Sequence, residues 1–359
     1  MPSSDENGTA VAAEQIGSMS LGESVEPETT GEDDQNETPT WSCSACGKKS
    51  DTAKKCTACK CVWYCDKKCQ NKHWKEHKKE CKHIKKVLDK RGGKLDSGTE
   101  KNLGPLPDLP PREECPICMR VLPIHARLQR YAGCCGKSIC GGCSFQHQMK
   151  SAERAAEKGQ TLVSPTCAFC RKPMAQSDEE VLARGLKRIE LKDPNAMSTI
   201  AMAYGHGRLG LPVDQAKCID LLRQSADLGD SSAQFQLGIF HHCGDMGLQR
   251  NEEEALKYYD KAAEGGYLIS RFNLGCVEDM KGDDVAAMRH WRLAAAGGFM
   301  KSMLNLIVCF DEGFLHHGDL AEALQAFYRS RAEMKSEDRD RYIEHLKETG
   351  EYREESHDF

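Results

Sequence analysis

Several things are missing from this chain of 359 residues, and each absence removes a class of protein. No stretch approaches the roughly eighteen consecutive apolar residues of a helical membrane span. The opening "MPSSDENGTAVAAEQIG" lacks the basic start and apolar run of a secretory leader. A cytoplasmic or nuclear protein with no membrane partner is therefore expected. Residues 1–40 hold no cysteine, no lysine and no arginine, but ten Asp or Glu. Such a segment buries too little apolar surface to offset chain entropy, so a disordered acidic tail is expected there. With 39% apolar and 29% charged residues over this length, several small units are expected rather than one globule.

What the chain has in excess is cysteine, twenty in all. In a reducing compartment that is no disulfide framework, and CxxC pairs there point to metal or redox chemistry. Eight lie between Cys43 and Cys81, eight between Cys115 and Cys170, and four stand singly beyond residue 200. Residues 41–91 carry sixteen Lys or Arg against five Asp or Glu, ending in an expected helix closed by Gly92 and Gly93. Residues 92–112, "GGKLDSGTEKNLGPLPDLPPR", read as a proline-containing linker. Residues 113–175 hold the second cysteine cluster with a helix inside it, and residues 176–193 read as a connecting helix with Ser177 and Glu180 as a capping box.

From 194 to 335 the sequence repeats. "AMSTIA", "AQFQLG", "SRFNLG" and "SMLNLI" begin at 196, 233, 270 and 302, each unit carrying a second amphipathic stretch. That period belongs to helix-turn-helix solenoids, an all-α architecture of stacked hairpins. No nucleophile-and-base constellation and no phosphate loop occur in the repeats. Residues 336–359 read as a polar C-terminal tail.

The first cluster runs Cys43-x2-Cys46-x9-Cys56-x2-Cys59-x5-Cys65-x3-Cys69-x7-His77-x3-Cys81. An x2 pair offers two thiolates to one zinc, which takes four Cys or His ligands, so eight ligands make two sites. The x3 spacings fit one face of a helix. With "WYCDKKCQNKHWKEHKKEC", the cluster resembles the MYND zinc finger. The resemblance implies interleaved pairing: Cys43, Cys46, Cys65 and Cys69 on one zinc, and Cys56, Cys59, His77 and Cys81 on the other. Cys61 is left over and is expected to be a small buried hydrophobe. Seven thiolates and two zinc ions reduce the cationic excess of this unit to roughly +8, a surface that could attract nucleic acid. Protein partners are favoured, because MYND fingers are interaction modules for short PxLxP-type peptides. The linker contains such a peptide itself, Pro107 to Pro111, read either as a competitor for the finger's groove or as a spacer.

The second cluster runs Cys115-x2-Cys118-x15-Cys134-Cys135-x4-Cys140-x2-Cys143-x23-Cys167-x2-Cys170. With "CPIC" at its start and "CAFCRKP" at its end, it resembles an all-cysteine RING finger. The cross-braced carry-over puts Cys115, Cys118, Cys140 and Cys143 on one zinc, and Cys134, Cys135, Cys167 and Cys170 on the other. His147 is an alternative for one of the adjacent pair. The resemblance also implies a ubiquitin ligase that holds a ubiquitin-conjugating enzyme in a reactive state, with Ile117 as the apolar contact and Arg171 as the linchpin donor. Ala168 stands where the family has proline, and the insert from Ser144 to Thr166 is long. The repeats resemble Sel-one-like repeats, relatives of the tetratricopeptide family, which are concave scaffolds for proteins.

The expected architecture is multidomain: two cross-braced α+β zinc units binding about four Zn2+ per chain, followed by a helical-repeat solenoid. The expected function is a zinc-binding interaction scaffold acting as a RING-type ubiquitin ligase. A non-catalytic adaptor and a chromatin- or RNA-associated regulator are the alternatives.

Overall fold

In the computed structural model, residues 41–96, 98–159 and 165–352 are described. The acidic segment 1–40 lies outside them, as does the expectation attached to it. In the first cysteine-rich unit, β1 (Trp41–Ser42) pairs with β2 (Lys49–Ser50) and β3 (Lys54–Lys55) with β4 (Trp63–Tyr64), both antiparallel. The helix α1 (Lys67–Lys90) follows, with Asp66 as N-cap accepting a hydrogen bond from the Cys69 amide at 2.7 Å. Its apolar face repeats at helical spacing: His73, His77, Cys81, Ile84 and Leu88 are buried, while the lysines between them face solvent.

The second cysteine-rich unit contains a hairpin, β5 (Gln129–Ala132) and β6 (Lys137–Cys140), and then α2 (Gly141–Glu157). The remaining helices are α3 (Asp178–Glu190), α4 (Pro194–His206), α5 (Gln215–Asp227), α6 (Ser231–Cys243), α7 (Glu252–Glu264), α8 (Leu268–Met280), α9 (Asp284–Ala296), α10 (Met300–Glu312), α11 (His317–Met334) and α12 (Glu337–Glu348).

The helices from α4 to α11 pack as four hairpins, and α3 packs on α4. Local chemistry starts three of the four second helices: Asp214, Asn251 and Asp283 accept from the backbone three residues on at 2.9, 3.1 and 2.9 Å. The recurrent "LG" has a packing reason. A Cβ on Gly238 would lie 2.6 Å from the Tyr259 ring, and one on Gly275 would lie 2.5 Å from the Trp291 ring. Only glycine lets the first helix of the hairpin approach the aromatic of the second so closely.

The three regions are not beads on a string. Cys56, Cys59, Cys61, Ile84 and Leu88 of the first unit share one core with Met288, Leu306, Phe310, Leu324 and Phe327 of α9 to α11. The linker is laid against the same helices rather than hanging free as a spacer. Leu103 is buried, Lys101 bridges to Leu315, the Lys101 amide donates to Phe314 O at 3.0 Å, and the Leu103 amide donates to Asp319 at 3.1 Å. Arg91 reaches both Glu100 and the carbonyl of Phe310.

The C-terminal segment departs from the polar tail expected for it. Its first part is α12, capped by Ser336, whose Tyr342, Ile343 and Leu346 are buried with Leu128 and against Phe145 of the second unit. A buried face at i, i+1 and i+4 was hidden in a strongly charged sequence. The second unit is also tied to the other end of the solenoid. Tyr131 donates to Asp193 at 2.8 Å, and Asp193, the N-cap of α4, pairs with Arg188 at 2.7 Å. Between this unit and the starts of α4, α6 and α8 lies a cleft of about 600 Å3, with Tyr131, Ser138, Asp230 and Tyr267 in its walls.

Candidate metal centres

Four cysteine knuckles share one backbone pattern. In each, the amide after the second cysteine donates to the carbonyl of the first: Gly47 to Cys43 at 2.8 Å, Lys60 to Cys56 at 3.0 Å, Met119 to Cys115 at 2.9 Å and Arg171 to Cys167 at 3.0 Å. The donor residue has a left-handed φ of 71°, 59°, 52° and 63° respectively. The first cysteine's own amide closes the loop on Lys48, Val62, Arg120 and Lys172. This tight turn aims two Sγ atoms at one point. Three of the four left-handed positions hold residues other than glycine, which is why composition gives no hint of the turn.

Partner ligands come from helix starts and a hairpin tip. Cys69 and Cys143 sit in the first turns of α1 and α2, and Cys140 ends β6, accepting from the Cys143 amide at 3.4 Å. Cys65 precedes α1 rather than lying on it, so only three of the four residues at the two x3 spacings are helical. Cys134 and Cys135 lie in the β5–β6 turn. There Cys135 and Gly136 both donate to Ala132 O, at 3.0 and 2.7 Å, and Gly136 has a φ of 71°. The turn is tight enough to present adjacent thiols to the same point.

Four quartets result: Cys43, Cys46, Cys65 and Cys69; Cys56, Cys59, His77 and Cys81; Cys115, Cys118, Cys140 and Cys143; Cys134, Cys135, Cys167 and Cys170. Within each, the donor atoms lie within 4.8 Å of one another. Sγ–Sγ separations of 3.8 Å (Cys46 to Cys65), 3.7 Å (Cys56 to Cys81) and 3.9 Å (Cys118 to Cys140) match the edge of about 3.8 Å of a tetrahedron with zinc–sulfur bonds of about 2.3 Å. The donor sets, three of four sulfurs and one of three sulfurs with an imidazole, suit zinc. Four zinc ions can be held.

The quartets differ in exposure. The one containing His77 is wholly buried, whereas Cys46 of the first is at the surface. His147 joins no quartet: its Nε2 is 2.9 Å from Thr166 Oγ1 and its Nδ1 2.6 Å from a guanidinium nitrogen of Arg171. Cys61 is fully buried, with Sγ 3.3 Å from Cys59 O and 3.3 Å from His317 Nε2. The Cys59 side chain beside it, and then burial, push its thiol well above the ordinary range, so it stays protonated and apolar in character. Ile117 is 40% exposed at the tip of one knuckle and Phe169 42% exposed at the tip of another. Sequence reasoning missed His317 and Tyr328 of α11 and Arg339 of α12, which touch the metal units. Nothing at those positions departs from helical packing patterns.

Comparison with known proteins now gives the parts their names. The family model of the MYND finger matches residues 43–81, and that of the Sel1 repeat matches 194–230, 231–267 and 271–299. The chain carries a MYND finger and Sel1 repeats. Chitin synthase regulatory factor 2 of Schizosaccharomyces pombe is 25% identical over 135 residues, 35% of this chain and 26% of that protein. Histone-lysine N-methyltransferase ASHR1 of Arabidopsis thaliana is 46% identical over 39 residues, 11% of this chain and 8% of its own length. An Arabidopsis F-box protein is 29% identical over 122 residues, 33% of this chain and 32% of that one. The chain thus spans a third or less of each of these relatives. A Sel1 repeat protein from Oxalobacter formigenes is 28% identical, covering 35% of this chain and 96% of that one with a TM-score of 0.32. MYND fingers bind zinc, and both matched domain types mediate protein–protein interaction. No described helix is long and apolar enough to cross a membrane.

Proposed function

We propose that the chain is a zinc-dependent interaction scaffold in which the second cysteine-rich unit works as a RING-type ubiquitin ligase. The observation that carries this reading is the pair of knuckle tips. Ile117 and Met119 on one, 40% and 68% exposed, and Phe169 on the other, present apolar side chains to solvent that no described element covers. Arg171 follows the last knuckle cysteine with its guanidinium exposed and held by His147. These side chains would hold a ubiquitin-charged conjugating enzyme, and catalysis would come from positioning, since the unit supplies no nucleophile. The zinc ions would fix the two tips relative to one another and take no part in the transfer.

The MYND finger and the solenoid then recruit substrate. The PxLxP segment of the linker has Pro107, Asp108 and Pro111 exposed, and Pro110 lies beside the turn at Gly266, where an added Cβ would stand 3.3 Å from its ring. It is therefore shared between the solenoid and solvent, and a second copy's finger is the proposed reader of its free side.

An autoubiquitination assay with a panel of conjugating enzymes tests the ligase reading. Wild type should form chains with at least one enzyme, and Ile117→Ala and Arg171→Ala should each reduce the rate at least tenfold with zinc content unchanged. Wild type inactive with the whole panel would leave the non-catalytic adaptor in its place.

A further inference from the structure

We propose that α11 of the solenoid supplies the outer coordination layer of the buried MYND site, making Tyr328 and Glu80 positioning residues for the zinc ligand His77. The geometry begins at the imidazole. His77 Nε2 lies 3.3 Å from Cys59 Sγ, inside the quartet, so the proton of the neutral ring sits on Nδ1. Nδ1 is 3.2 Å from Tyr328 Oη, and Tyr328 in turn donates to Glu80 Oε2 at 3.2 Å. The chain runs carboxylate, phenol, imidazole, metal, every proton having one donor and one acceptor. Partners of this kind fix the tautomer and ring orientation of a metal-bound histidine and raise its basicity. Here the link comes from 251 positions away in sequence.

The arrangement is built rather than incidental. Glu80 and His77 are buried, and Tyr328 is 3% exposed. A buried carboxylate without a donor would be costly, and Tyr328 is the donor it has. The phenol is itself boxed in by rings. His73 meets it edge-on at 4.2 Å between centroids and stacks on His77 at 5.7 Å, an arrangement that leaves Tyr328 little rotational freedom. At the knuckle of the same quartet, His317 of α11 places Nε2 3.0 Å from the carbonyl of Cys59. One helix thus holds both a knuckle and the imidazole of a single site. The quartets at Cys43, Cys115 and Cys134 contain no histidine, and the hydrogen bond of Tyr328 goes to His77 of the Cys56 quartet. The consequence is a selective one: the grip on zinc at the Cys56 quartet depends on the last repeat.

The test uses the full zinc-loaded chain, chelators of rising affinity, and peptide-resolved thiol alkylation to report which cysteines are released. Tyr328→Phe keeps the ring packing and removes only the hydroxyl. In that variant Cys56, Cys59 and Cys81 should become alkylated at roughly tenfold to a hundredfold lower chelator strength than in wild type, the usual range for losing such a partner. The Cys115 quartet should be released as in wild type. Glu80→Gln, which keeps shape but weakens the acceptor, should shift the same three cysteines in the same direction by less. Unchanged release in Tyr328→Phe, or equal acceleration at all four quartets, overturns the proposal, the second because it signals general loosening. If Cys56, Cys59 and Cys81 are fully alkylated in wild type before any chelator is added, the zinc assignment falls and this inference with it.

Discussion

The Sγ of Cys61 lies 3.3 Å from Nε2 of His317, a residue 256 positions further along the chain. This contact joins the MYND finger to the end of the solenoid without adding a metal ligand. Cys61→Val is therefore expected to retain the full zinc content and to lose about 1 kcal/mol or less, because two weak sulfur contacts are exchanged for apolar packing. His317→Ala should cost more, about 1–3 kcal/mol, since it leaves the buried Cys59 carbonyl without its imidazole donor. Denaturant unfolding together with metal analysis checks both. Loss of one zinc equivalent in Cys61→Val would mean that Cys61 is a ligand.

Removing zinc should unfold the chain unevenly. The finger shares its core with α9 to α11, whereas the core formed by Ile200, Leu222, Leu237 and their neighbours draws on α3 to α7 and on no residue of the finger. Metal ligation contributes on the order of 10 kcal/mol to folding at a structural site, so its loss should dismantle what rests on it. After chelation, hydrogen exchange should accelerate over residues 41–91 and in α10 and α11, while α4 to α6 stay protected. Uniform loss of protection would show that the repeats have no stability of their own.

Asp193 caps α4, pairs with Arg188 and accepts from Tyr131, so one carboxylate joins the solenoid to the hairpin of the second cysteine-rich unit. Its Tyr131 partner has a phenol pushed far up in pKa by burial and by this carboxylate, and stays protonated as donor. Asp193→Asn should cost about 2–3 kcal/mol through the lost charge-assisted bonds. Gly136→Ala should act at the same place, because its Cβ would overlap Arg188 and Asp193 and its φ of 71° disfavours alanine. Thermal melts of both variants, with zinc present, decide whether this contact matters.

Arg339 of α12 donates to Val121 O at 2.7 Å and to Met334 O, and reaches Cys118 Sγ at 3.6 Å. Arg339→Met keeps the stem but strands two carbonyls, and should cost about 2–4 kcal/mol. The specific readout is limited proteolysis: cleavage between α11 and α12 should speed up, while the fragment of α4 to α9 remains intact.

Much of the metal chemistry was legible because zinc imposes short, countable spacings on a chain. Four of the five x2 pairs are knuckles, the fifth, Cys140 and Cys143, spanning the end of β6 and the start of α2, and the fold brings the donor atoms of four quartets within 4.8 Å of one another. The repeats were legible for a similar reason, a small residue four positions before a leucine recurring in phase at Ala233 and Leu237, Ser270 and Leu274, and Ser302 and Leu306. Less could be read from positions whose role lies in a distant contact. Gly141 and Gly142 sit between two cysteines and look like knuckle filler, yet a Cβ on Gly142 would lie 2.7 Å from the backbone of Arg339. The pair is there to let α12 settle on α2.

By itself, then, the sequence determined the local units: which cysteines can converge, where helices start, and that hairpins stack. It did so because coordination spacing, capping and apolar periodicity act over a few residues to a few tens. Only the tertiary structure decided that these units form one body. The contacts responsible, Cys61 to His317, Tyr328 to His77, Asp193 to Tyr131 and Arg339 to Val121, each use an ordinary side chain at an ordinary helical or helix-capping position. Their effect comes from partners 62 to 256 residues away, a separation over which no spacing rule survives.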